Sequence, residues 1–458
     1  MFSRKKALGV IALASSAALA LAGCGGGDTT AEEPVDQDTA ATQGTDETTG
    51  TDETTQGTDS GEAVELDFAF WGNDVRADLY NQVIAEFNKE HPNITVNVSF
   101  LGFPEFWEKR QTEAAGGGLP DVMQFDYSYL RQYAENGLLL DLEPYLGSTI
   151  DTEPLSEQIL SIGVVGGTTV AIPTSTNAWG MYLNPKLLEQ VGVEPYEGGG
   201  SWEDYDAWMK EVTDAASAAG VEVFGGTDYT GRIQNFEIMQ RANGEDLFSD
   251  DGQPNFTEED LKAFWEMGAK VRESGAVISQ QRLEEVYPLS GFDSALTASE
   301  LTWDNFGAGY LGNLGEDYTE LGLVAPPETV PGSQDLYLKP SMLHVIAANA
   351  EHPDEAAVLV DFLINSPASG QIFGTNRGLP ASTTALEAAE LDPLSEQIRA
   401  YEEAISERLG DAPPVPIVGY GTLEEKFRLL GTELNFGTLS VDDAVSQFFT
   451  EMDVVLNQ

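Results

Sequence analysis

The chain has 458 residues, one cysteine, and 22 basic against 77 acidic side chains, a formal net charge of −55. A single thiol excludes an internal disulfide and a multi-cysteine metal site. A field of that sign repels nucleic acid and anionic membrane surfaces, so neither is expected as a partner.

At the N-terminus, Arg4, Lys5 and Lys6 precede the apolar run ALGVIALASSAALALAG. A charged start and a short apolar middle predict a secretory signal over residues 1–23 rather than a spanning helix. Leu21, Ala22, Gly23 and Cys24 then match a lipobox, and the sequence here resembles bacterial lipoproteins. That resemblance implies a diacylated Cys24 as the mature N-terminus, and so an extracytoplasmic protein held by a lipid anchor at the outer face of the cell membrane. Loss of residues 1–23 removes three bases and no acid, taking the charge from 22 − 77 = −55 to 19 − 77 = −58. Residues 24–63 are Thr, Asp, Glu, Gln and Gly with almost no large apolar side chain, a composition that predicts a disordered acidic linker with a reach of roughly 35 Å.

Apolar periodicity begins at Val64. VELDFAFWG alternates Val64, Leu66, Phe68 and Phe70 with polar or small residues, as a strand does. DVRADLYNQVIAEFNKEH then spaces Val75, Leu79, Val83 and Phe87 at helical intervals, Pro92 and Asn93 stop that helix, and NITVNVSF alternates again. PDVMQFD predicts a third strand, YSYLRQYAENG a helix capped by Gly137, and TTVAIPTS with AWGMYLN two paired extended segments. The alternation of types predicts an α/β chain with mainly parallel sheets. About 395 residues with such periodicity exceed what one core holds, so two lobes are expected.

FAFWGND, FNKEHPNITV, GGGLPDVMQFDYSYLRQYAENGLLLDLEPYL, IPTSTNAWGMYLNPKLLEQVGVEP, SWEDYDAWMKEVTDA and LHVIAANAEHPDEAAVLVDFLINSPASGQIF follow one another in an order that carries a family resemblance. The mature chain resembles, over nearly its whole length, the family-1 extracellular solute-binding proteins that feed ABC importers. The resemblance implies a two-lobed, periplasmic-binding-protein-like (type II) α/β fold, with a hinge and a ligand cleft between the lobes. Crossings are expected near 172–176, 298–302 and 339–341. They divide the chain into an N-terminal lobe of 64–174 with 302–339 and a C-terminal lobe of 177–299 with 341–458. The implied function is capture of a carbohydrate, an oligosaccharide, by hinge closure and its delivery to the importer's transmembrane subunits. The protein is expected to be a monomer without cofactor.

A sugar has an apolar face and a rim of hydroxyls, so its site needs flat aromatic rings and fixed donors and acceptors. Trp71 ends the first strand pattern and leads into Asn73 and Asp74, while Asp126 and Tyr127 end the third. Ligands of α/β sheets collect beyond such strand ends. Asn177 and Trp179 follow the first crossing, where the resembling proteins place a polar contact, and Trp179 alternatively packs beneath the hinge. Trp303, Asp304 and Asn305 stand beside the second crossing, where the family commonly supplies a stacking aromatic. Phe103, Trp107, Tyr229, Arg232, Glu237, Lys339 and Arg377 complete the candidates. The three bases could meet a uronate carboxylate or balance neighbouring acids.

GAGYLG at 307–312 has the spacing of a dinucleotide loop, but the context predicts loop and helix-packing glycines. His91, His344 and His352 lie in no nucleophile or metal motif. With 77 acids some pair always has suitable spacing, so a secreted glycoside hydrolase is the rival reading rather than the expected one, as is a surface lipoprotein without transport.

Overall fold

The computed structural model describes residues 63–457; the expected signal, Cys24 and the acidic tract up to residue 62 lie outside the described residues. Strand β1 (Val64–Trp71) pairs in parallel with β2 (Ile94–Leu101) and β3 (Val122–Phe125). Between β1 and β2 runs the helix Asp74–Glu90, which buries Ala77, Tyr80, Val83, Ile84 and Phe87 on the sheet. Val75, expected on that face, is 63% exposed, because the buried stripe starts at Ala77. Asn73 caps the helix by accepting from the Arg76 N–H at 3.1 Å, and His91 closes its other end.

A short hairpin, β4 (Val164–Val165) and β5 (Thr168–Thr169), leads into β6 (Ile172–Leu183). Here the structure corrects the expectation of two paired segments: β6 is one continuous strand of 12 residues, buried throughout. Strand β7 (Ser299–Trp303), β8 (Gly322–Val324), β9 (Leu338–Ile346) and β10 (Leu379–Pro380) follow. The first half of β6 pairs with β9 and β10, and β9 pairs with β3; the second half, Trp179–Leu183, pairs with β7 and β8. Strand β6 therefore carries the chain from one sheet region to the other.

Every pairing of β6 and β9 is antiparallel, so the sheet is mixed rather than mainly parallel. The strands that bridge the two halves run in opposite directions, and only the β1–β2–β3 unit keeps the parallel crossover arrangement. The pairings also correct the division of the chain. Residues 302–324 stay with the distal half of β6 instead of returning at residue 302, and the return comes only in β9. From there the helix Pro353–Asn365 packs beside the first helix, with Phe362 5.3 Å from Phe87, and Phe373 lies 4.8 Å from Tyr80. The segment 341–373 thus joins the first half, not the second. The C-terminal helices Tyr420–Phe436 and Val441–Leu456 pack in the second half, where Phe427 and Phe448 surround the buried Trp265.

Candidate ligand cleft

The chain bends around a cavity of about 810 Å³, within the range that holds small-molecule ligands. Its floor is the crossing itself. Asn177 on β6 faces Lys339 on β9, and Gly378, at φ 101°, lays the loop 375–379 across Thr176 and Asn177. Only glycine accepts that backbone angle, and a side chain there would also press on the Thr176 carbonyl at 3.3 Å.

One side is the end of β3. Asp126 accepts from the Ser128 N–H at 2.9 Å and so caps the helix Tyr127–Glu135, while the Tyr127 hydroxyl donates to the Pro413 carbonyl at 3.2 Å. The opposite side comes from the second half. Trp303 ends β7 and is half-buried, with its ring edge-on to Trp179 at 5.1 Å. Trp179 is buried beneath it, its indole N–H donating to Asn235 at 2.8 Å. The Lys339 ammonium lies 4.9 Å from the Trp303 ring centroid, a cation–π contact. Asn305 is exposed at the same edge, and Asp304 is buried behind it, accepting from the Ala178 N–H at 2.9 Å. Glu237, on the helix Ile233–Ala242, accepts from the Tyr337 hydroxyl at 2.7 Å, and burial pushes its pKa up to about 7.

Asp126, Tyr127, Asn177, Glu237, Trp303, Asp304, Asn305, Lys339 and Arg377 all border this cavity. Arg377 does so with a qualification: its guanidinium lies 3.7 Å from the Phe373 ring centroid, inside the first half. Its carbonyl accepts from the Ser175 and Ser341 hydroxyls, which fixes the loop to β6 and β9. Neither Arg377 nor Lys339 has a carboxylate within 4.0 Å among the described residues, whereas Arg232 pairs with the buried Glu300 at 2.6 Å.

The remaining candidates fall elsewhere. Trp107 is buried, stacked on Tyr129 at 3.8 Å and edge-on to Phe125 at 5.0 Å. Trp71 and Phe103 lie against it at the end of β1, and Asn73 and Asp74 are exposed at the adjoining helix start. These five do not border the cavity, and Asn73 spends its side chain on the cap. Tyr229 is a core residue packed 4.7 Å from Trp202, and neither it nor Arg232 borders the cavity. Of the formal G-x-G-x-x-G, Gly307 opens the helix Gly307–Leu314 where a Cβ would come 2.5 Å from the Tyr182 hydroxyl, so it serves packing.

Three cavity aromatics, Phe248, Tyr337 and Tyr420, escaped the sequence reading. Tyr337 stands just before β9, and Tyr420 follows the segment DAPPVPIVG, whose Pro413, Pro414 and Pro416 form part of the cavity wall. The proline density of 413–416 was the available signal, since such a run cannot belong to a helix or a central strand and must form an ordered loop.

Together these residues offer aromatic faces beside amide, hydroxyl, carboxyl and ammonium groups, the chemistry that recognises a polar organic ligand with an apolar face. An arabinooligosaccharide-binding protein of Halalkalibacterium halodurans is 25% identical over 201 residues, a match that spans 43% of this chain and 43% of that relative's length. A family 1 extracellular solute-binding protein of Alicyclobacillus acidocaldarius superposes with a TM-score of 0.74 at 25% identity, over 87% of this chain and all of the other. A periplasmic oligogalacturonide-binding protein of Yersinia enterocolitica shares the fold at 20% identity, with a TM-score of 0.73 over 86% of this chain and 99% of the other. The fold is that of the two-lobed solute-binding proteins. Residues 73–369 match the family described as "Bacterial extracellular solute-binding protein", and the chain belongs to that family.

Proposed function

We propose that the chain captures an oligosaccharide in this cleft and hands it to the transmembrane subunits of an ABC importer, while a lipid on Cys24 holds it at the outer face of the membrane. The observation that carries the reading is the cavity of about 810 Å³ in which Trp303, Tyr337 and Tyr420 stand beside Asn177, Lys339 and Glu237. Aromatic faces take the apolar face of a sugar ring, and the polar groups take its hydroxyls. The arabinooligosaccharide and oligogalacturonide named for two similar proteins support a carbohydrate as the ligand class.

The test is a thermal-shift screen across malto-, arabino- and galacturono-oligosaccharides. A ligand at one hundred times its dissociation constant adds about 2.7 kcal/mol to the folded state. Trp303→Ala is expected to weaken the hit roughly tenfold to a hundredfold, the loss of one buried aromatic contact. Trp71→Ala, outside the cavity, is expected to change it little. Full affinity in Trp303→Ala, or recovery of the hit as shorter products, would overturn the reading.

A further inference from the structure

Two donors on the floor of the cleft have no acceptor among the described residues. Lys339 on β9 stands directly opposite Asn177 on β6, so both side chains leave the same face of the sheet with their Cβ atoms roughly 5 Å apart, and both border the cavity. The Lys339 ammonium rests 4.9 Å from the Trp303 ring centroid and meets no carboxylate. Most bases here are committed to an acid, as Arg408 is to Asp335 at 2.7 Å and Arg232 to Glu300 at 2.6 Å. In a chain with 77 acids against 22 bases, a cleft lysine left without one is an exception.

The five carboxyls that border the cavity, by contrast, each have a donor. Asp126 and Asp392 cap helices, accepting from the Ser128 and Ser395 N–H groups at 2.9 and 2.7 Å, and Glu424 accepts from the Gln234 amide at 2.7 Å. Asp304 and Glu237 accept from the Ala178 N–H and the Tyr337 hydroxyl, and burial raises the pKa of both, which favours their neutral forms. Arg377 turns its guanidinium onto Phe373. The uncommitted charge of the cleft is therefore the ammonium. The net charge of the chain opposes an anion at long range, but salt at 0.1 M screens that field beyond about 10 Å, whereas Lys339 acts in contact.

The ammonium also covers a face of Trp303, and a sugar ring that stacks on that face must displace it. A neutral sugar offers the displaced ammonium only hydroxyls. A uronate ring carries a carboxylate at its edge, whose two oxygens match the ammonium and the Asn177 N–H, and such charge-assisted bonds are roughly twice as strong as neutral ones. We propose that Lys339, with Asn177, is the specificity-determining element of the cleft and that the captured oligosaccharide is acidic, one uronate ring stacking on Trp303 with its carboxylate on the Lys339 ammonium. This rests on the sugar capture proposed above and narrows its class.

The experiment titrates the chain with acidic trimers of the galacturonate, glucuronate and mannuronate series, with the methyl ester of each, and with maltotriose and arabinotriose. In the wild type the tightest acid is expected to bind about tenfold to a hundredfold more tightly than its own ester, the worth of one charge-assisted bond. Lys339→Gln should abolish that difference by weakening the acid, and should leave the ester unchanged or slightly tighter because the Trp303 face is uncovered. Lys339→Arg, which keeps the charge, should keep the preference for the acid. The ratio of acid to ester in the wild type carries the test even where a variant fails to fold. A neutral trimer that binds more tightly than every acid, acids no tighter than their esters, or a preference that survives in Lys339→Gln would overturn this proposal and leave sugar capture standing. Binding of none of these sugars would overturn both.

Discussion

Trp107 and Trp303 are the same side chain in opposite situations, and the neighbours decide which. Around Trp107, Phe106, Phe125, Tyr129 and Tyr133 close the ring in on several sides, at centroid distances of 3.8 to 5.9 Å. Around Trp303, Trp179 and Tyr337 approach edge-on and Lys339 covers one face, while the residue borders open space. Trp107→Ala is therefore expected to cost roughly 3–5 kcal/mol of stability, the range for truncating a buried aromatic. Affinity per folded molecule should be unchanged. Denaturant unfolding combined with titration of the screened sugar separates the two, and weakened binding in the folded variant would return Trp107 to the site. Arg377 shows the same dependence on surroundings: burial holds its pKa below the usual arginine value, and its charge lies on the Phe373 ring rather than in the cleft. Near it, His344 is buried against Phe68 and Tyr80, and burial pushes its pKa well down, which agrees with a structural, neutral histidine.

Among the elements, the helix Tyr127–Glu135 and the proline-rich loop are tied by two side chains, Tyr127 through its hydroxyl to the Pro413 carbonyl and Arg131. Arg131 donates from Nε and Nη2 to the Val415 carbonyl at 3.0 and 2.6 Å, and from Nη1 to the Asp250 carbonyl at 2.8 Å. Arg131→Ala leaves those carbonyls without their charged donor, a loss of roughly 1.5–3 kcal/mol. Limited proteolysis is expected to cut residues 411–419 faster in the variant, and an unchanged rate would show that the loop is held without the Arg131 tie. None of this tie could be read from YSYLRQYAENG, because the helical pattern fixes which face is apolar but not which distant carbonyl an arginine on its edge meets. Strand β1 and the helix after it were legible, since alternation and 3.6-residue spacing are local properties. Strand β6 was not, because Pro173 and the polar run Thr174–Asn177 interrupt its apolar pattern although all of them are buried, and the sequence has no mark for the point at which its partner changes from β9 to β7. The same blindness to partners misplaced the segments 302–324 and 341–373. At the site, residues beside the crossings were found from their position in the chain, whereas Phe248, Tyr337 and Tyr420 reach the cavity only through long-range packing.

At the scale of the molecule, the excess of carboxylates sets the direction of the pH response. Some acids are buried rather than solvated: burial, outweighing the Tyr337 hydrogen bond, raises Glu237 from 4.5 to about 7. Between those values the folded chain keeps a proton that the unfolded chain has released, so stability falls as pH rises. The contribution is fully present below about pH 4.5, and its loss through pH 7 amounts to about 3 kcal/mol for Glu237 alone. Repulsion among the 77 acids against 22 bases acts in the same direction as they ionise. At the acid end the sign reverses. Hydrogen bonds from Ser201 and Ser395 hold the helix-capping carboxylates Asp204 and Asp392 below the usual range, and what they contribute is lost as pH falls through those lowered values. The stability maximum is therefore expected on the mildly acidic side, and added salt should raise stability more at pH 8 than at pH 5, because screening acts over about 10 Å at 0.1 M. Denaturant unfolding at a series of pH values checks both statements. Glu237→Gln, which keeps an acceptor for Tyr337 but has no proton to lose, should flatten the fall between about pH 5 and about pH 8 relative to the wild type; an identical slope in the variant would assign the pH dependence to the surface charge alone.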